Sequence, residues 1–236
     1  KYEGEWLQNK KHGIGKMIYG GVGEYFGRFE NGKRHGEGVF KYKKTGNVYL
    51  GLVHRLDRVV GGVMVYAKTS KAASRLSNEI RLNNMHKTYL AIVHGKIKDN
   101  DTYIDYLLKQ DDFSTKVVDK KEGKYAELSY ELLEYNKDKD ISLVKVNLKT
   151  GRHHQIRVQF ASRNYPLVGD NRYGKDNIKE IGLYAYKLSF IHPVKKELME
   201  FTSIPKTSLF MEFKCLNKQL LYKYFIYDTM IMVVIT

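Results

Sequence analysis

The chain has 236 residues, of which 42% are hydrophobic and 28% are charged, a composition that excludes a disordered or fibrous protein. Its lysines and arginines (41) exceed its aspartates and glutamates (26) by 15, which favours a polyanionic partner such as nucleic acid or an anionic membrane. Because the single cysteine, Cys215, excludes a disulfide framework and a cysteine-based zinc site, we expect a protein of a reducing compartment, located in the cytoplasm.

Two tandem repeats stand at the start of the chain, which begins at Lys1 without a methionine and is therefore expected to be a fragment or a trimmed form. Y-E-G-E-W (2–6) returns as Y-F-G-R-F (25–29), and the sequence H-G-x-G follows each copy, at 12–15 and 35–38. The alternating apolar residues predict strands, and the asparagine and glycine clusters predict hairpin turns.

These repeats resemble the MORN repeat family, whose units are β-hairpins, over residues 1–48. Such a segment is expected either to extend a sheet without binding a ligand or, as an independent appendage, to need a partner of its own, an anionic lipid surface or another protein. Because two hairpins are too few to bury an apolar face alone, we expect them to extend the sheet that follows. In that arrangement, residues 25–29 and a weak third copy of the repeat, Y-L-G-L-V (49–53), would lie in sheets continuous or nearly continuous with the strand that leads to His54.

From residue 51 onwards the pattern becomes a mixture of strands and helices. The apolar run 63–66 predicts a buried strand, and Ser70 is expected to cap a helix carrying Ala73, Leu76 and Ile80 on one face. Further segments are predicted as strands over 88–93, 125–134, 141–148, 183–190 and 198–202, and as a helix within 151–163. Strands outnumber helices, so we expect an α+β fold with a mostly antiparallel mixed sheet and flanking helices.

The last segment, residues 206–236, is predicted to be a C-terminal tail. Its residues 216–236 fit neither pattern and are expected to form either a docked helix or an irregular segment. Its run of six apolar residues, 230–235, is the longest in the chain. A membrane-spanning helix needs about 20 such residues, so we expect no transmembrane segment.

An aspartate between two arginines marks the first candidate site, in the sequence H-R-L-D-R (54–58), which Gly61 and Gly62 follow. Positive neighbours favour the ionised form of Asp57 and keep it available as a nucleophile or a base. Taken alone, the same pattern also fits a loop aspartate that pairs with arginine for structural reasons.

Three further motifs follow in order: K-T-Y-L-A-I-V-H-G (87–95), G-R-H-H-Q-I-R (151–157) and P-L-V-G-D-N-R-Y-G (166–174). Together with H-R-L-D they resemble the RluA-type RNA pseudouridine synthase family, over about residues 47–205. The resemblance implies a catalytic domain at 49–205 that isomerises uridines of structured ribosomal or transfer RNA to pseudouridine.

Within this resemblance, Asp57, Tyr89 and Arg157 are implied as the catalytic residues. Asp57 would attack the flipped uridine, Tyr89 would lie against the base and assist a later proton transfer, and Arg157 would keep Asp57 ionised. Taken singly, Tyr89 also fits a core tyrosine and Arg157 a solvated helix face. RNA contacts are expected from Arg55, which would help push the nucleotide out of its stack, and from His54, Arg58, Lys68, Arg152 and His154.

No cofactor or metal is expected, because the isomerisation needs no redox change and the chain has no P-loop, dinucleotide fingerprint or metal-ligand cluster. His153 and His154 are adjacent, so on a helix they would point in different directions and make a poor metal pair. We expect a monomer whose partner is RNA.

The chain departs from the family pattern ahead of H-R-L-D, where the family has a strand-rich segment with a Lys-Pro-x-Gly motif and this chain has its repeats. The N-terminal part of the usual catalytic domain is therefore expected to be missing. Either the repeat strands complete the sheet, or the protein is a catalytically impaired chimera. Such a chimera would act as an RNA-binding protein or chaperone, or as a MORN-type scaffold for lipid or protein.

Overall fold

A computed structural model describes residues 1–20, 23–42, 49–174, 176, 178–216 and 232–235 of the chain. It divides into two compact units, Lys1–Tyr49 and Leu50–Thr236.

The first unit is a four-stranded antiparallel sheet whose strands follow one another in chain order: β1 (Tyr2–Leu7), β2 (Lys10–Tyr19), β3 (Gly23–Glu30) and β4 (Lys33–Tyr42). Two-residue turns join β1 to β2 and β3 to β4. Asn31 (φ 52°) and Gly32 (φ 81°) make the second turn. Positive φ at both central positions is typical of the tight hairpin turns that asparagine and glycine favour.

The two hairpins repeat the same internal contacts. The hydroxyl groups of Tyr2 and Tyr25 each donate to the backbone carbonyl three residues later, at 3.0 and 3.3 Å. Each tyrosine ring also meets an aromatic ring four residues later edge-on: Tyr2 contacts Trp6 at 5.2 Å and Tyr25 contacts Phe29 at 5.3 Å, both with an interplanar angle of 87°. The repeat seen in the sequence is therefore a structural repeat as well.

The prediction that this sheet continues into the strand before His54 is wrong for the described residues. Strand β3 has β2 on one side and β4 on the other, so both of its hydrogen-bonding edges are occupied. The segment before His54 instead forms the short strand β5 (Gly51–Leu52), which pairs with β7 (Met64–Ala67) in a separate three-stranded sheet.

The second unit is built on an eight-stranded sheet. Its remaining elements are β6 (Gly61–Gly62), α1 (Ser70–Arg81), β8 (His86–His94), β9 (Asn100–Lys109), β10 (Thr115–Val118), β11 (Lys124–Asn136), β12 (Ile141–Leu148), α2 (Gln155–Ala161), β13 (Leu183–Ile191) and β14 (Leu198–Thr202). The strand order is β10-β9-β11-β12-β8-β13-β14, with β6 paired alongside β13. Only the β6–β13 pair of this sheet is parallel within the described chain. This mostly antiparallel sheet with few helices agrees with the α+β prediction.

Most predicted elements of this unit are present, and two strands, β12 and β14, have the predicted bounds. The helix cap is different: Thr69, not Ser70, accepts a hydrogen bond from Ala72 N (3.1 Å) and begins α1. Strands β9 and β10 are absent from the predicted elements, because their polar and charged residues hide the period-two alternation.

The central strands are buried on both faces, which makes them a rigid support for the site. On one face of β8, Ala91 packs in a cluster with Phe160 of α2. On the other face, Leu90 packs in a cluster with Phe210, which lies in a short 3-10 turn, Phe210–Glu212. Side chains alternate along a strand, so each residue of β8 has a defined face.

The predicted C-terminal tail is described only at 206–216 and 232–235. It contains the 3-10 turn and a strand, β15 (Met232–Ile235), which pairs in parallel with β7. The rest of the tail, including most of the predicted helix or irregular segment, lies outside the described residues. In the part of the chain that is described, no helix has both the length and the apolar character to cross a membrane.

Candidate active site

Asp57 lies in the loop between β5 and β6, where the chain makes a tight turn. Its backbone carbonyl accepts a hydrogen bond from Val60 N at 2.9 Å, and its Oδ1 accepts one from Arg58 N at 2.9 Å. The side chain remains 28% exposed. The turn therefore fixes the carboxylate while leaving it open to a ligand.

Arg157 joins this loop to helix α2. Its Nη1 donates to Asp57 Oδ2 at 2.5 Å, while Nε and Nη2 donate to the two oxygens of Asp170 at 2.8 and 2.7 Å. Asp170 is fully buried and Arg157 is 7% exposed. The guanidinium is thus shared between a buried carboxylate, which holds it, and an accessible one, which it stabilises.

His154 is the second basic partner of Asp57, with its Nε2 3.2 Å from Asp57 Oδ2. The hydrogen bond from His154, followed by that from Arg157, lowers the pKa of Asp57 well below its ordinary value, although partial burial acts in the opposite direction. Asp57 is therefore a carboxylate at neutral pH, as a nucleophile or base must be.

A hydrogen-bonded line of groups orients the His154 ring. Its Nδ1 lies 2.7 Å from the Tyr173 hydroxyl, which accepts a hydrogen bond from Thr115 N at 2.8 Å. Because the phenol oxygen already accepts from Thr115, its own proton is free to bond to Nδ1. This arrangement assigns the remaining ring proton to Nε2, where it points at Asp57.

The two adjacent histidines do not point in different directions, contrary to the prediction. They precede the first residue of α2, and His154 has a left-handed backbone (φ 51°), so the rings of His153 and His154 stack with centroids 3.8 Å apart. His153 Nδ1 contacts Thr115 Oγ1 at 2.9 Å. Both histidines are thereby tied to the start of β10.

A cavity of about 630 Å³ opens in front of these groups, within the size range of small-molecule sites. Eight of the nine predicted site residues line it: His54, Arg55, Asp57, Arg58, Tyr89, Arg152, His154 and Arg157. Lys68 does not line it, because it directly follows β7 and is exposed there. The cavity is strongly cationic, since Asp57 is the only acidic side chain among the described residues that line it.

His54 supports the loop as a neutral ring. Its Nε2 accepts a hydrogen bond from Val65 N at 3.2 Å, and burial, together with the nearby Lys87, lowers its pKa to about 4. A neutral imidazole adds no charge for phosphate binding, so the predicted RNA contact of His54 would have to be uncharged.

Tyr89 and Lys87 lie two residues apart on β8 and both line the cavity, because alternate side chains share one face of a strand. Burial raises the pKa of Tyr89 to about 12 and lowers that of Lys87. Tyr89 is thus a protonated phenol at neutral pH. An added Cβ at Gly151 would approach Lys87 Nζ to 3.3 Å, so this glycine leaves room for the ammonium group.

Sequence reasoning missed three residues that build this site: Thr115, Asp170 and Tyr173. Asp170 and Tyr173 both stand in P-L-V-G-D-N-R-Y-G (166–174), so the motif contained the signal without indicating their contacts. Thr115 begins a short strand with no recognisable motif.

The chain is similar to known proteins in sequence and in fold. The family model for RNA pseudouridylate synthase matches residues 8–162. The chain is 38% identical to an uncharacterized RNA pseudouridine synthase of Aquifex aeolicus over 163 residues, 64% of this chain and 52% of the relative. It is 30% identical to ribosomal large subunit pseudouridine synthase D of Buchnera aphidicola over 220 residues, 86% of this chain and 68% of the relative.

Among solved structures, human RNA pseudouridylate synthase domain containing 1 has a similar fold, with a TM-score of 0.56 and 22% identity, over 66% of this chain and 69% of that one. The chain spans about half to two thirds of the length of the curated relatives it matches. The family model covers more than half of the chain, from the turn after β1 to the end of α2. The chain therefore belongs to the RNA pseudouridylate synthase family.

Proposed function

We propose that this protein isomerises specific uridines of structured RNA to pseudouridine, with Asp57 as the nucleophile. The observation that carries the proposal is the pairing of Asp57 with two basic groups, His154 and Arg157, in a cationic cavity. Cationic walls suit a phosphate-bearing substrate, and the ionised carboxylate is the reactive group they surround.

The proposed reaction moves the link between ribose and uracil from nitrogen to carbon. Asp57 attacks the ribose C1′ of the flipped nucleotide, and the bond between N1 and C1′ breaks. The base then rotates, and C5 bonds to C1′ and displaces the Asp57 carboxylate. C5 loses its proton and N1 gains one, so the free carboxylate is regenerated. Reactants and product have the same atoms and oxidation level, so no redox partner is required.

Arg55 and Tyr89 have distinct roles in this proposal. Arg55 is exposed at the edge of the cavity, a position suited to filling the gap that a flipped base leaves in its stack, which offsets part of the unstacking cost of a few kcal/mol. Tyr89 packs against the base. Because its phenol has a pKa of about 12, Tyr89 must lose its own proton before it can assist the later proton transfer as a base.

We further propose ribosomal RNA as the substrate, with transfer RNA as the alternative, and the cytoplasm as the place of action. Relatives from Buchnera aphidicola are named ribosomal large subunit pseudouridine synthases C and D, which favours ribosomal RNA. Basic side chains at the cavity mouth, such as Arg58 and Arg152, would contact the RNA backbone.

The N-terminal hairpins are proposed to be MORN-like repeats that bind a partner of their own, an anionic lipid surface or a protein. Their matching internal contacts at Tyr2 and Tyr25 support a repeat module. If the catalytic unit proved inactive, this module would be the remaining functional part of a chimeric scaffold.

The test is carbodiimide-adduct mapping of pseudouridines in bulk ribosomal and transfer RNA after incubation with the protein. Wild-type protein should create new modified positions, and Asp57→Asn should create none while binding RNA with nearly unchanged affinity. Glu131→Gln, which removes an exposed carboxylate paired with Lys145, is the matched control and should retain full activity. Equal modification by wild type and Asp57→Asn would refute the role of Asp57.

A further inference from the structure

Phe113 is an exposed aromatic residue in an unfavourable backbone conformation. It stands in the loop between β9 and β10, is 65% exposed and has φ +61°. Bulky side chains rarely adopt this left-handed conformation, and the strain that it causes persists only where the surroundings enforce it. Although the ring contacts Lys109, most of the residue is exposed, so the ring is available to a ligand.

The loop around Phe113 is braced, so the ring is presented in a fixed place. Asp112 Oδ1 accepts hydrogen bonds from the backbone N and the Oγ of Ser114, at 2.9 and 2.6 Å. Gln110 N donates to the Ser114 carbonyl at 2.9 Å. Arg172 Nη1 donates to the Asp112 carbonyl at 3.0 Å, which ties the loop to the segment that carries Asp170 and Tyr173.

The same hairpin also forms part of the candidate active site. Thr115, two residues after Phe113, contacts Tyr173 through its backbone nitrogen and His153 through its hydroxyl. His153 lines the cavity. Phe113 therefore lies in the loop that leads into β10, two residues before Thr115, which contacts both the cavity-lining His153 and the group that orients His154.

The groups around the Phe113 ring favour a nucleobase as its ligand. Lys109 Nζ lies 4.7 Å from the centroid of the Phe113 ring, which combines an aromatic surface with a cation. Such a combination binds single-stranded RNA, where bases stack on the ring and the ammonium group lies near the backbone. Asp111 and Asp112 place negative charge in the same loop, which disfavours a phosphate at the tip and leaves the ring as the binding element.

We propose that Phe113 stacks on an unpaired RNA base next to the uridine bound in the cavity. This inference rests on the proposed function and narrows its substrate to RNA with an unpaired nucleotide beside the target. A base that is already stacked in a duplex has no free face for the ring, so the target lies in a loop, a bulge or a single strand.

The decisive variant is Phe113→Gly, because glycine adopts a positive φ without strain and the fold should be kept. Its affinity for a fluorescein-labelled oligouridylate, measured by anisotropy, should fall by roughly five- to 150-fold, the range for one stacked base. Its melting temperature should equal or exceed that of the wild type. Phe113→Trp should retain the affinity, as should the control Leu198→Ala, which alters a residue 66% exposed on β14.

The salt dependence of RNA affinity distinguishes stacking by Phe113 from a charge contact made by Lys109. Phe113→Gly removes no charge, so the slope of log affinity against log salt should not change, whereas Lys109→Gln should reduce it by about 0.7 for a single strand. A fully paired RNA duplex of the same length should bind Phe113→Gly and wild type equally.

Undiminished oligouridylate binding by Phe113→Gly, or a lowered melting temperature, would overturn the stacking role. All affinities are measured in the Asp57→Asn background, so they do not depend on turnover. If wild-type protein failed to isomerise uridine while Phe113→Gly still lost affinity, the proposed function would fail and the stacking contact would stand. If wild-type protein were active and Phe113→Gly bound RNA unchanged, the proposed function would stand and the stacking contact would fail.

Discussion

Asp170 holds the guanidinium of Arg157 through two hydrogen bonds, from Nε to Oδ2 at 2.8 Å and from Nη2 to Oδ1 at 2.7 Å. Oδ1 of Asp170 also accepts from the backbone nitrogens of Arg172 (3.0 Å) and Tyr173 (3.2 Å). Because Nε and Nη2 are bonded to Asp170, the guanidinium of Arg157 is held in one orientation, with Nη1 directed at Asp57. Asp170 is thus the buried anchor of the Asp57 ion pair.

Asp170→Asn should destabilise the protein by about 3–5 kcal/mol, because it leaves the buried side of Arg157 without its charge partner. Uridine isomerisation should also fall, since Arg157 is no longer held towards Asp57. Denaturant unfolding and pseudouridine mapping measure the two effects. The control is Glu200→Gln, which breaks an exposed pair with Lys187 and should cost at most about 1 kcal/mol. An unfolding midpoint equal to that of the wild type would contradict the anchoring role.

Tyr173→Phe should reduce kcat and leave KM for RNA nearly unchanged, because the phenol orients His154 without reaching the cavity lining. Thr115 N would lose its acceptor, at a cost of about 1–3 kcal/mol in the free energy of unfolding. Tyr135→Phe is the matched control: it removes an exposed hydroxyl bonded to Asp140, and should change neither kinetic constant. A rise in KM with constant kcat would instead assign Tyr173 to RNA binding.

Asp57 should stay ionised at acidic pH, so the activity that depends on its carboxylate should persist there. Its pKa is held below the ordinary value of 3.8, so the stabilisation from its ion pair is present above pH 3.8 and is lost as pH falls through the lowered pKa. In His154→Asn, which tolerates the left-handed backbone but is too short to bond Asp57, the acid limb of kcat/KM should move to higher pH. Superimposable acid limbs for the two proteins would exclude His154 as the partner that lowers this pKa.

Gly15→Ala should unfold the repeat unit selectively. An added Cβ at Gly15 would overlap the Tyr2 hydroxyl and ring, and overpacking of this kind costs about 1–3 kcal/mol. Thermal unfolding monitored through the fluorescence of Trp6 reports on this unit. Gly20→Ala is the control, since nothing lies within 4 Å of its added Cβ. We expect both variants to isomerise uridine normally; loss of activity in Gly15→Ala alone would show that the repeats complete the catalytic domain.

Local patterns were sufficient to predict much of this architecture. The positions of Asp57, Tyr89 and Arg157 could be predicted because each stands in a contiguous motif, and the structure brings all three to one cavity. Strands β12 and β14 could be bounded because their apolar runs end at polar turns. The hairpins could be predicted from Asn9 in the first turn and from Asn31 and Gly32 in the second, because these residue types favour the positive φ that is found there.

Local sequence cannot show contacts between distant segments. Thr115 and Tyr173 are separated by 58 positions, and the tertiary fold brings them within hydrogen-bonding distance beside His154. The exposure of Lys68 and the neutrality of His54 likewise depend on neighbours contributed by other strands. Chemical identity and local backbone preference are properties of the sequence by itself. The direction of Arg157, the proton position on His154 and the pKa of Asp57 were decided by the tertiary structure, because burial and charge at a site are summed over every segment that packs around it.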